Sequence, residues 1–295
     1  METTAMIEQN KIRDSLVAVK GAGDLATGVI HRLFRAGFAV IATELPEPTV
    51  VRRTVAFAEA VTRGEMTVED VTARLVTSLQ DIQATLASGL VPIIVDPGGT
   101  LLKQVHPTAL IEATLSKYNS GVTMDDAPIV IALGPGYEAG KDVHAVIETN
   151  RGHNLGRVYL QGRAEPNTGV PGAIGGYTIE RLLRAPCAGA LYGVRQIGDL
   201  VQAGETVAVV RTNETSDNET APVVAAISGI LRGLMRDGLH VSSAMKVGDI
   251  DPRAAREHCF TISDKSRAVA GGVLEAILYL LNSRYLVHTQ NRALS

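Results

Sequence analysis

The chain has little aromatic or cysteine content: no tryptophan, four phenylalanines, seven tyrosines and two cysteines among 295 residues. The chain has few aromatic rings on which bases could stack, and its formal net charge is -3. Because proteins that bind nucleic acid need a positively charged surface, we predict that nucleic acid is not a partner. Cys187 and Cys259 are far apart and form no Cys-x-x-Cys pair. We therefore expect reduced structural thiols and no metal site.

Long apolar runs are also missing. No run approaches the roughly 20 residues needed to cross a bilayer, and the polar stretch 1–14 has no signal-peptide core. The sequence predicts a cytoplasmic protein with a flexible tail over 1–14 and no membrane contact. Its length allows two domains with separate cores.

A glycine-rich turn follows the first apolar stretch and leads into a helical pattern. Gly21 would permit a tight turn, and Gly23 would leave room for a pyrophosphate at the helix N-terminus. About twenty residues on, a second apolar stretch ends at Glu44, where a carboxylate could meet a ribose. Asp24 would repel a pyrophosphate unless it faces a metal, a base or solvent. The predicted nucleotide-binding turn is Gly21, Ala22, Gly23, Asp24, Leu25 and Ala26.

Helical and strand signals alternate through the first half, which predicts a Rossmann-like parallel sheet over 15–180. We expect helices over 52–63, from Thr67, over 79–88 and over 107–118, and strands over 91–95, 128–133 and 142–149. Because the carboxyl ends of parallel strands share one edge, the special residues there should converge. They are the glycine turn, Glu44, Asp96, Gly134 and Gly136.

The segment 134–172 is dense in glycine, basic and polar residues, and is the predicted site of any chemistry. Alternation along the expected strand places Glu148 on the same face as His144. Arg151 and His153 follow in a glycine-flanked loop suited to anion recognition and proton transfer. We take Arg151, His153 and Glu148 as catalytic candidates and Arg157 as a ligand-binding residue.

A forty-residue internal repeat occupies the second half, with Gly189, Leu191 and Gly193 matched by Gly229, Leu231 and Gly233. Short strands at this period predict an all-β barrel-sandwich hybrid over 181–253, as in biotinyl and lipoyl carriers. Lys246 lies late in the second half rather than at a hairpin tip, so we expect no biotin or lipoate on it. A helical segment follows over 254–295, and its Gly271-Gly272 pair predicts close packing.

Five stretches together resemble the YqeB family of accessory proteins for selenium-dependent molybdenum hydroxylases. The resemblance extends from about Ser15 to Asn282 and implies a cytoplasmic role in maturing such a hydroxylase, by handling the molybdenum cofactor or the selenium ligand. The stretches are KGAGDLATGVIHRLFRAGF, TELPEPTVVRRTVAFAEAV, GPGYEAGKDVHAVIETNRGHNLGRV, PNTGVPG and KVGDIDPR.

Three hypotheses follow. In the first, the protein is a maturation factor that holds a molybdopterin dinucleotide and contacts the hydroxylase or its other maturation factors. In the second it is an NAD(P)-dependent oxidoreductase, with Glu44 favouring NAD. In the third it is a non-catalytic adaptor that docks through Arg232, Arg236 or His240. Catalysis stays open, and a homo-oligomer is possible.

Overall fold

A nine-stranded sheet organises the first part of the chain in the computed structural model, which describes residues 15–212 and 220–293. The predicted tail 1–14 lies outside the described residues. The strands lie in the order β3-β4-β5-β2-β1-β6-β7-β8-β9, and only the two edge strands are antiparallel to their neighbours. They are β1 (Leu16–Lys20), β2 (Ala39–Glu44), β3 (Glu65–Val68), β4 (Val71–Val76), β5 (Val91–Val95), β6 (Ala109–Glu112), β7 (Ile129–Leu133), β8 (Ala145–Ile147) and β9 (Val158–Tyr159).

From β1 the chain builds the strands on the β2 side of the sheet, and it then returns to place β6 on the opposite side of β1. The carboxyl ends of these two strands therefore diverge into loops on opposite sides, which creates a topological switch point. The predicted α/β class with a parallel sheet is confirmed.

Five helices accompany the sheet in the described residues: α1 (Asp24–Arg35), α2 (Ala60–Arg63), α3 (Leu79–Ala87), α4 (Thr100–Val105) and α5 (Asp264–Ala293). The long helix α5 packs against α1, and Val269 and Val273 enter the core on that face of the sheet. A Cβ on Gly28 would lie 2.1 Å from the Ser266 Oγ, so only glycine allows this approach. Close packing was also expected for the glycine pair of α5. It holds for Gly272 alone, since a Cβ on Gly271 would meet nothing within 4 Å.

Two predicted helices are strands instead. The helix expected from Thr67 is the β3–β4 hairpin, because β-branched residues alternate with polar ones on both sides of the turn at Glu69. The helix expected over 107–118 contains β6, whose Leu110 and Ile111 are buried between β1 and β7. The helix in this region, α4, precedes Pro107.

The segment 52–63 is only partly α-helical. It forms two 3-10 turns, Arg53–Val55 and Phe57–Glu59, before α2. The backbone amides of Phe57 and Ala58 donate instead to the Thr27 hydroxyl and the Ala22 carbonyl, both at 2.9 Å. These tertiary hydrogen bonds replace those of a continuous helix.

Two four-stranded antiparallel sheets form a second unit with its own core. The repeat is visible directly, because β11, β12 and β13 recur forty residues later as β15, β16 and β17. β12 pairs with β15, and β16 pairs with β11, so the halves interlock. The class of barrel-sandwich hybrid and the domain boundaries stay predictions. The strands are β10 (Leu182–Arg184), β11 (Gly189–Gly193), β12 (Leu200–Val201), β13 (Thr206–Arg211), β14 (Thr220–Val224), β15 (Gly229–Leu234), β16 (His240–Val241) and β17 (Lys246–Asp251).

Lys246 is the first residue of β17, away from the connection between the two halves. Most of that connection, 213–219, lies outside the described residues. Within the described ranges, no helix combines the length and apolar character that a membrane span requires.

Candidate functional site

A cleft of about 520 Å³ opens at the carboxyl edge of the sheet. The first turn of α1, which follows β1, and the loop after β6 both line it, so it lies at the switch point, where ligands of open α/β sheets bind. The segment 165–172 lines another side. The opposite wall comes from the two-sheet unit and the start of α5, through Arg181, Arg184, Arg232, Lys246, Asp249, Ser263 and Lys265.

Positive charge dominates this cleft. Eight basic residues line it against three acidic ones, a formal excess of five positive charges, although the whole chain carries a net charge of -3. Such a concentration in a concave site favours an anionic ligand. The basic residues are Arg52, Lys117, Arg151, Arg181, Arg184, Arg232, Lys246 and Lys265, and the acidic ones are Asp24, Glu165 and Asp249.

Some of these cations have carboxylate partners. Buried Arg181 lies 3.2 Å from an Asp249 oxygen, and Arg52 lies 3.4 Å from the Asp24 carboxylate. The Asp24 charge therefore faces a guanidinium, which reduces its repulsion of a phosphate. Asp264 accepts two hydrogen bonds of 2.7 Å from Arg151, and these hold the pKa of its carboxyl well below the usual range.

Arg232 is less well satisfied. It is buried and makes no hydrogen bond with the residues that the structure describes; an Asp251 oxygen lies 3.6 Å from its Nη1. That carboxylate already accepts hydrogen bonds of 2.9 and 2.6 Å from Arg253. Burial, followed by the nearby charge of Arg52, lowers the pKa of Arg232. The Nε atoms of Arg52, Arg181 and Arg232 are all buried without a partner.

Lys265, in the first turn of α5, adds another cation. Burial lowers the pKa of its ammonium group, the Asp24 carboxylate opposes that shift, and the charges of Arg151 and Lys246 add to it. Lys265 and Lys246 form no ion pair with any described residue. The site therefore contains positive charge that the described part of the chain does not balance.

The predicted glycine turn lies at the edge of this cleft. Asp24 and Leu25 line it, whereas Gly21, Ala22 and Ala26 are buried behind them. Gly21 has φ +99°, as a tight turn requires. Gly23 precedes α1, and a Cβ there would meet only Val50 at 3.6 Å. The turn is formed as expected, but its helix, rather than its glycines, borders the ligand space.

Glu44 has a different role from the one predicted. Its two oxygens accept hydrogen bonds of 2.8 Å from the backbone amides of Ala22 and Leu45. It thus holds the glycine turn in place and does not line the cleft. Asp96 is similarly occupied, accepting hydrogen bonds of 2.9 Å from the amides of Thr100 and Leu101 at the start of α4.

Gly134 and Gly136 serve loop packing. A Cβ on Gly134 would lie 2.9 Å from the Thr149 hydroxyl, and one on Gly136 would lie 2.3 Å from the Ser116 carbonyl oxygen. Neither lines the cleft, but Pro135 between them does. Glu44, Asp96 and these two glycines therefore position loops at this sheet edge and do not line the cleft.

The candidate residues in the basic segment occupy different places in the structure. Arg151 lines the cleft, whereas His153 and Arg157 are exposed outside it. Arg157 donates to the Asn154 side chain at 3.2 Å. Glu148 is fully buried and accepts hydrogen bonds from the amides of Thr149, Asn150 and Glu165 at 2.8, 2.7 and 2.8 Å. This arrangement gives Glu148 a structural role, because it joins the loop after β8 to segment 165–172.

Sequence reasoning missed two sets of residues. The cleft cations Arg52, Arg232, Lys246 and Lys265 are far apart in sequence, although Arg52 and Lys246 lie in the stretches TELPEPTVVRRTVAFAEAV and KVGDIDPR. Glu112 was also missed, because its strand was expected to be a helix. Its buried carboxylate is 3.1 Å from the Lys20 ammonium and accepts a 3.0 Å hydrogen bond from Ser120.

No protein-family model matches the chain. The uncharacterized protein YqeB of Escherichia coli K12 is 49% identical over 267 residues, which are 90% of this chain and 48% of that protein. The chain thus spans about half the length of this curated relative.

Comparison with solved structures gives weaker likenesses. The E. coli tRNA N6-threonylcarbamoyladenosine dehydratase TcdA, in complex with AMP, is 12% identical, with 97% of this chain and 95% of that chain covered and a TM-score of 0.34. The ectoine utilization protein EutE (DoeB) from Ruegeria pomeroyi is 10% identical, with 80% and 85% covered and a TM-score of 0.26. TM-scores this low do not establish a shared fold.

Proposed function

The chain belongs to the YqeB family, and from that premise we propose that it binds a phosphate-bearing dinucleotide in the switch-point cleft. In this proposal the protein is an accessory factor in maturing a selenium-dependent molybdenum hydroxylase, and the ligand is the molybdenum cofactor in its dinucleotide form. It would act in the cytoplasm and contact the hydroxylase or its other maturation factors.

The position and charge of the cleft carry this proposal. It opens beside the first turn of α1 and has a formal excess of five positive charges among its lining residues. Helix N-termini and clustered guanidinium groups are favourable sites for phosphate oxygens. Arg232 lines the same cleft and makes no hydrogen bond with the described residues, so its guanidinium is a further donor for an anionic group.

The contacts suggested by the structure differ from the sequence-based assignment. The pyrophosphate would lie at the first turn of α1, and Arg151 with the basic wall would hold the distal end. His153 and Arg157 are outside the cleft, so they have no part in this arrangement. The oxyanions of a molybdopterin dinucleotide fit this donor set.

Both dinucleotide hypotheses lose the expected ribose contact at Glu44, and NAD also loses the residue that favoured it over NADP. The Glu44 carboxylate, the expected partner of an NAD ribose, accepts hydrogen bonds from two backbone amides of its own chain. NAD therefore enters the experiment as a competing ligand.

Thermal unfolding against NAD, NADP, CTP, CDP and extracted molybdenum cofactor tests the proposal. A ligand at a hundred times its dissociation constant adds about 2.7 kcal/mol to the unfolding free energy, which shifts Tm by several degrees. We expect the molybdenum cofactor or cytidine nucleotides to stabilise the protein. Gly23→Asp should abolish the shift, because it adds a carboxylate beside the pyrophosphate.

Gly23→Ala is the matched control for folding, since a Cβ there makes an ordinary 3.6 Å contact. Arg163→Gln removes an arginine that is paired with Glu138 outside the cleft and should leave the shift unchanged. Stabilisation by NAD alone would instead support the oxidoreductase. No response to any ligand would contradict the proposal and favour the adaptor.

An adaptor would need a different surface from the one first predicted. Arg232 is buried, so it is not available to a docking partner. Arg236 and His240 are not buried.

A further inference from the structure

Arg232 is a buried cation without adequate partners in the described chain. Only 7% of the residue is exposed, and no described group accepts a hydrogen bond from it. Its neighbouring carboxylate, Asp251, lies 3.6 Å away and is bound more closely by Arg253, at 2.6 Å. Arg181 shows the contrast, since it donates both to Asp249 and to the Gly172 carbonyl.

Such an arrangement is unfavourable unless an anion joins it. A charged group removed from water loses its solvation, and only well-formed ion pairs and hydrogen bonds offset that loss. A nearby cation makes it worse, and Arg52 lies close enough to lower the pKa of Arg232. An anion bound in the cleft would accept hydrogen bonds from Arg232, whereas Arg52, which already donates to the carbonyls of His258 and Thr261, would contribute its charge.

Three further features face the same space. Lys265 lines the cleft from the first turn of α5, and Ser263 lines it from the residue before that helix. Lys246 lines the cleft from β17. Arg52 lines the cleft from the loop after β2, and its Nη atoms donate to the Asp24 carboxylate and to the carbonyls of His258 and Thr261. These groups belong to three separate parts of the sequence, and they meet only in the folded chain.

We propose that Arg232, Arg52 and Lys265 form a subsite for a phosphate-type dianion. Arg232 and Lys265 reach it from the two-sheet unit and α5, and Arg52 reaches it beside Asp24 in the first turn of α1. The dianion is either the pyrophosphate of the cleft's dinucleotide or an independent inorganic ion. The inference deepens the proposed function, on which it rests in the first case, and inorganic phosphate tests it without any nucleotide.

Calorimetric titration with inorganic phosphate, in a phosphate-free buffer of low ionic strength, is the direct measurement. Arg232→Met should weaken phosphate binding by about tenfold or more, since hydrogen bonds to charged groups contribute at least that much. Lys265→Gln should weaken it similarly. Arg163→Gln, outside the cleft, should bind phosphate like the parent chain.

The thermal stability of Arg232→Met distinguishes a ligand-binding role of Arg232 from a structural ion pair. Without phosphate, Arg232→Met should unfold at the same temperature as the parent chain or a higher one, because it removes an unsatisfied buried charge. A lower Tm together with unchanged phosphate affinity would overturn the proposal. If Arg232→Met does not fold, Lys265→Gln decides: unchanged phosphate affinity in that variant also overturns it.

Two further arms distinguish this proposal from the proposed function and identify the source of the anion. Gly23→Asp should lose nucleotide binding; it should weaken phosphate binding if the anion is the pyrophosphate and leave it within about threefold if the anion is an independent ion. If inorganic phosphate competes with a bound nucleotide, the subsite binds the nucleotide's own phosphate. If the two bind at the same time, the subsite binds an independent ion. Phosphate binding without any nucleotide response supports the subsite and contradicts the proposed function. Absence of measurable phosphate binding by the parent chain overturns the subsite.

Discussion

The Arg151 guanidinium donates two hydrogen bonds of 2.7 Å to the Asp264 carboxylate. This pair joins the loop after β8 to the first turn of α5, two elements that border the cleft. A Cβ on Gly172 would lie 2.6 Å from Arg151 Cδ, so segment 165–172 packs directly on the same side chain. Arg151 is thus a candidate ligand contact that is also fixed by the fold.

The Arg151–Asp264 pair should make stability depend on pH. The pKa of Asp264 is lower in the folded chain than in the unfolded one, so the pair stabilises the fold above about pH 4 and loses its effect as the pH falls. Because the Asp264 side chain is 66% exposed, we expect Asp264→Asn to lower the unfolding free energy at pH 7 by only about 1 kcal/mol.

Urea unfolding at pH 7, pH 4 and pH 2 checks this expectation. The difference between Asp264→Asn and the parent chain should shrink between pH 4 and pH 2, as the pH falls toward the lowered pKa of Asp264 in the folded chain. Asp125→Asn, at an exposed position, should show little difference at any of these pH values. A deficit of Asp264→Asn that stays constant down to pH 2 would show that the pair is not its cause.

The glycine pair of α5 offers two opposite substitutions in adjacent positions. Gly271→Ala should stabilise the protein by about 0.5–1 kcal/mol, because a Cβ there meets nothing within 4 Å and alanine favours the helix. Gly272→Ala should destabilise it, since its Cβ would lie 2.1 Å from the Gly156 carbonyl oxygen. Chemical denaturation measures both, and equal effects of the two substitutions would rule out this packing of α5.

The two cysteines should differ in reactivity. Cys259 is fully buried, and burial raises the pKa of its thiol, whereas Cys187 is partly exposed. Iodoacetamide followed by mass spectrometry should modify Cys187 in the native protein and Cys259 only after denaturation. Native modification of Cys259 at the rate seen in the unfolded chain would contradict this burial.

Glu44 should contribute to the stability of the fold rather than to ligand binding. Glu44→Gln leaves one amide acceptor where two carboxylate oxygens bind the backbone of Ala22 and Leu45, so we expect a loss of about 1–3 kcal/mol in unfolding free energy. Glu47→Gln, at an exposed position nearby, is the control. An unchanged stability of Glu44→Gln would return Glu44 to the role of a ribose ligand.

Local sequence signals predicted the parallel sheet well, because its strands are apolar on both faces and end in glycine or acidic residues. They misassigned β6, since Pro107 suggested the start of a helix whereas the neighbouring strands β1 and β7 recruit residues 109–112 into the sheet. The glycine turn and Arg151 were found by motif. Arg232 and Lys265 could not be found in this way, because they meet Arg52 only through the packing of distant segments.

A crystal structure of the full chain grown with saturating CDP tests the central claim most directly. The account predicts CDP in the switch-point cleft, with its phosphates between the first turn of α1 and the guanidinium of Arg232. CDP bound elsewhere on the protein, or a cleft without CDP at a concentration that saturates binding in solution, would contradict it.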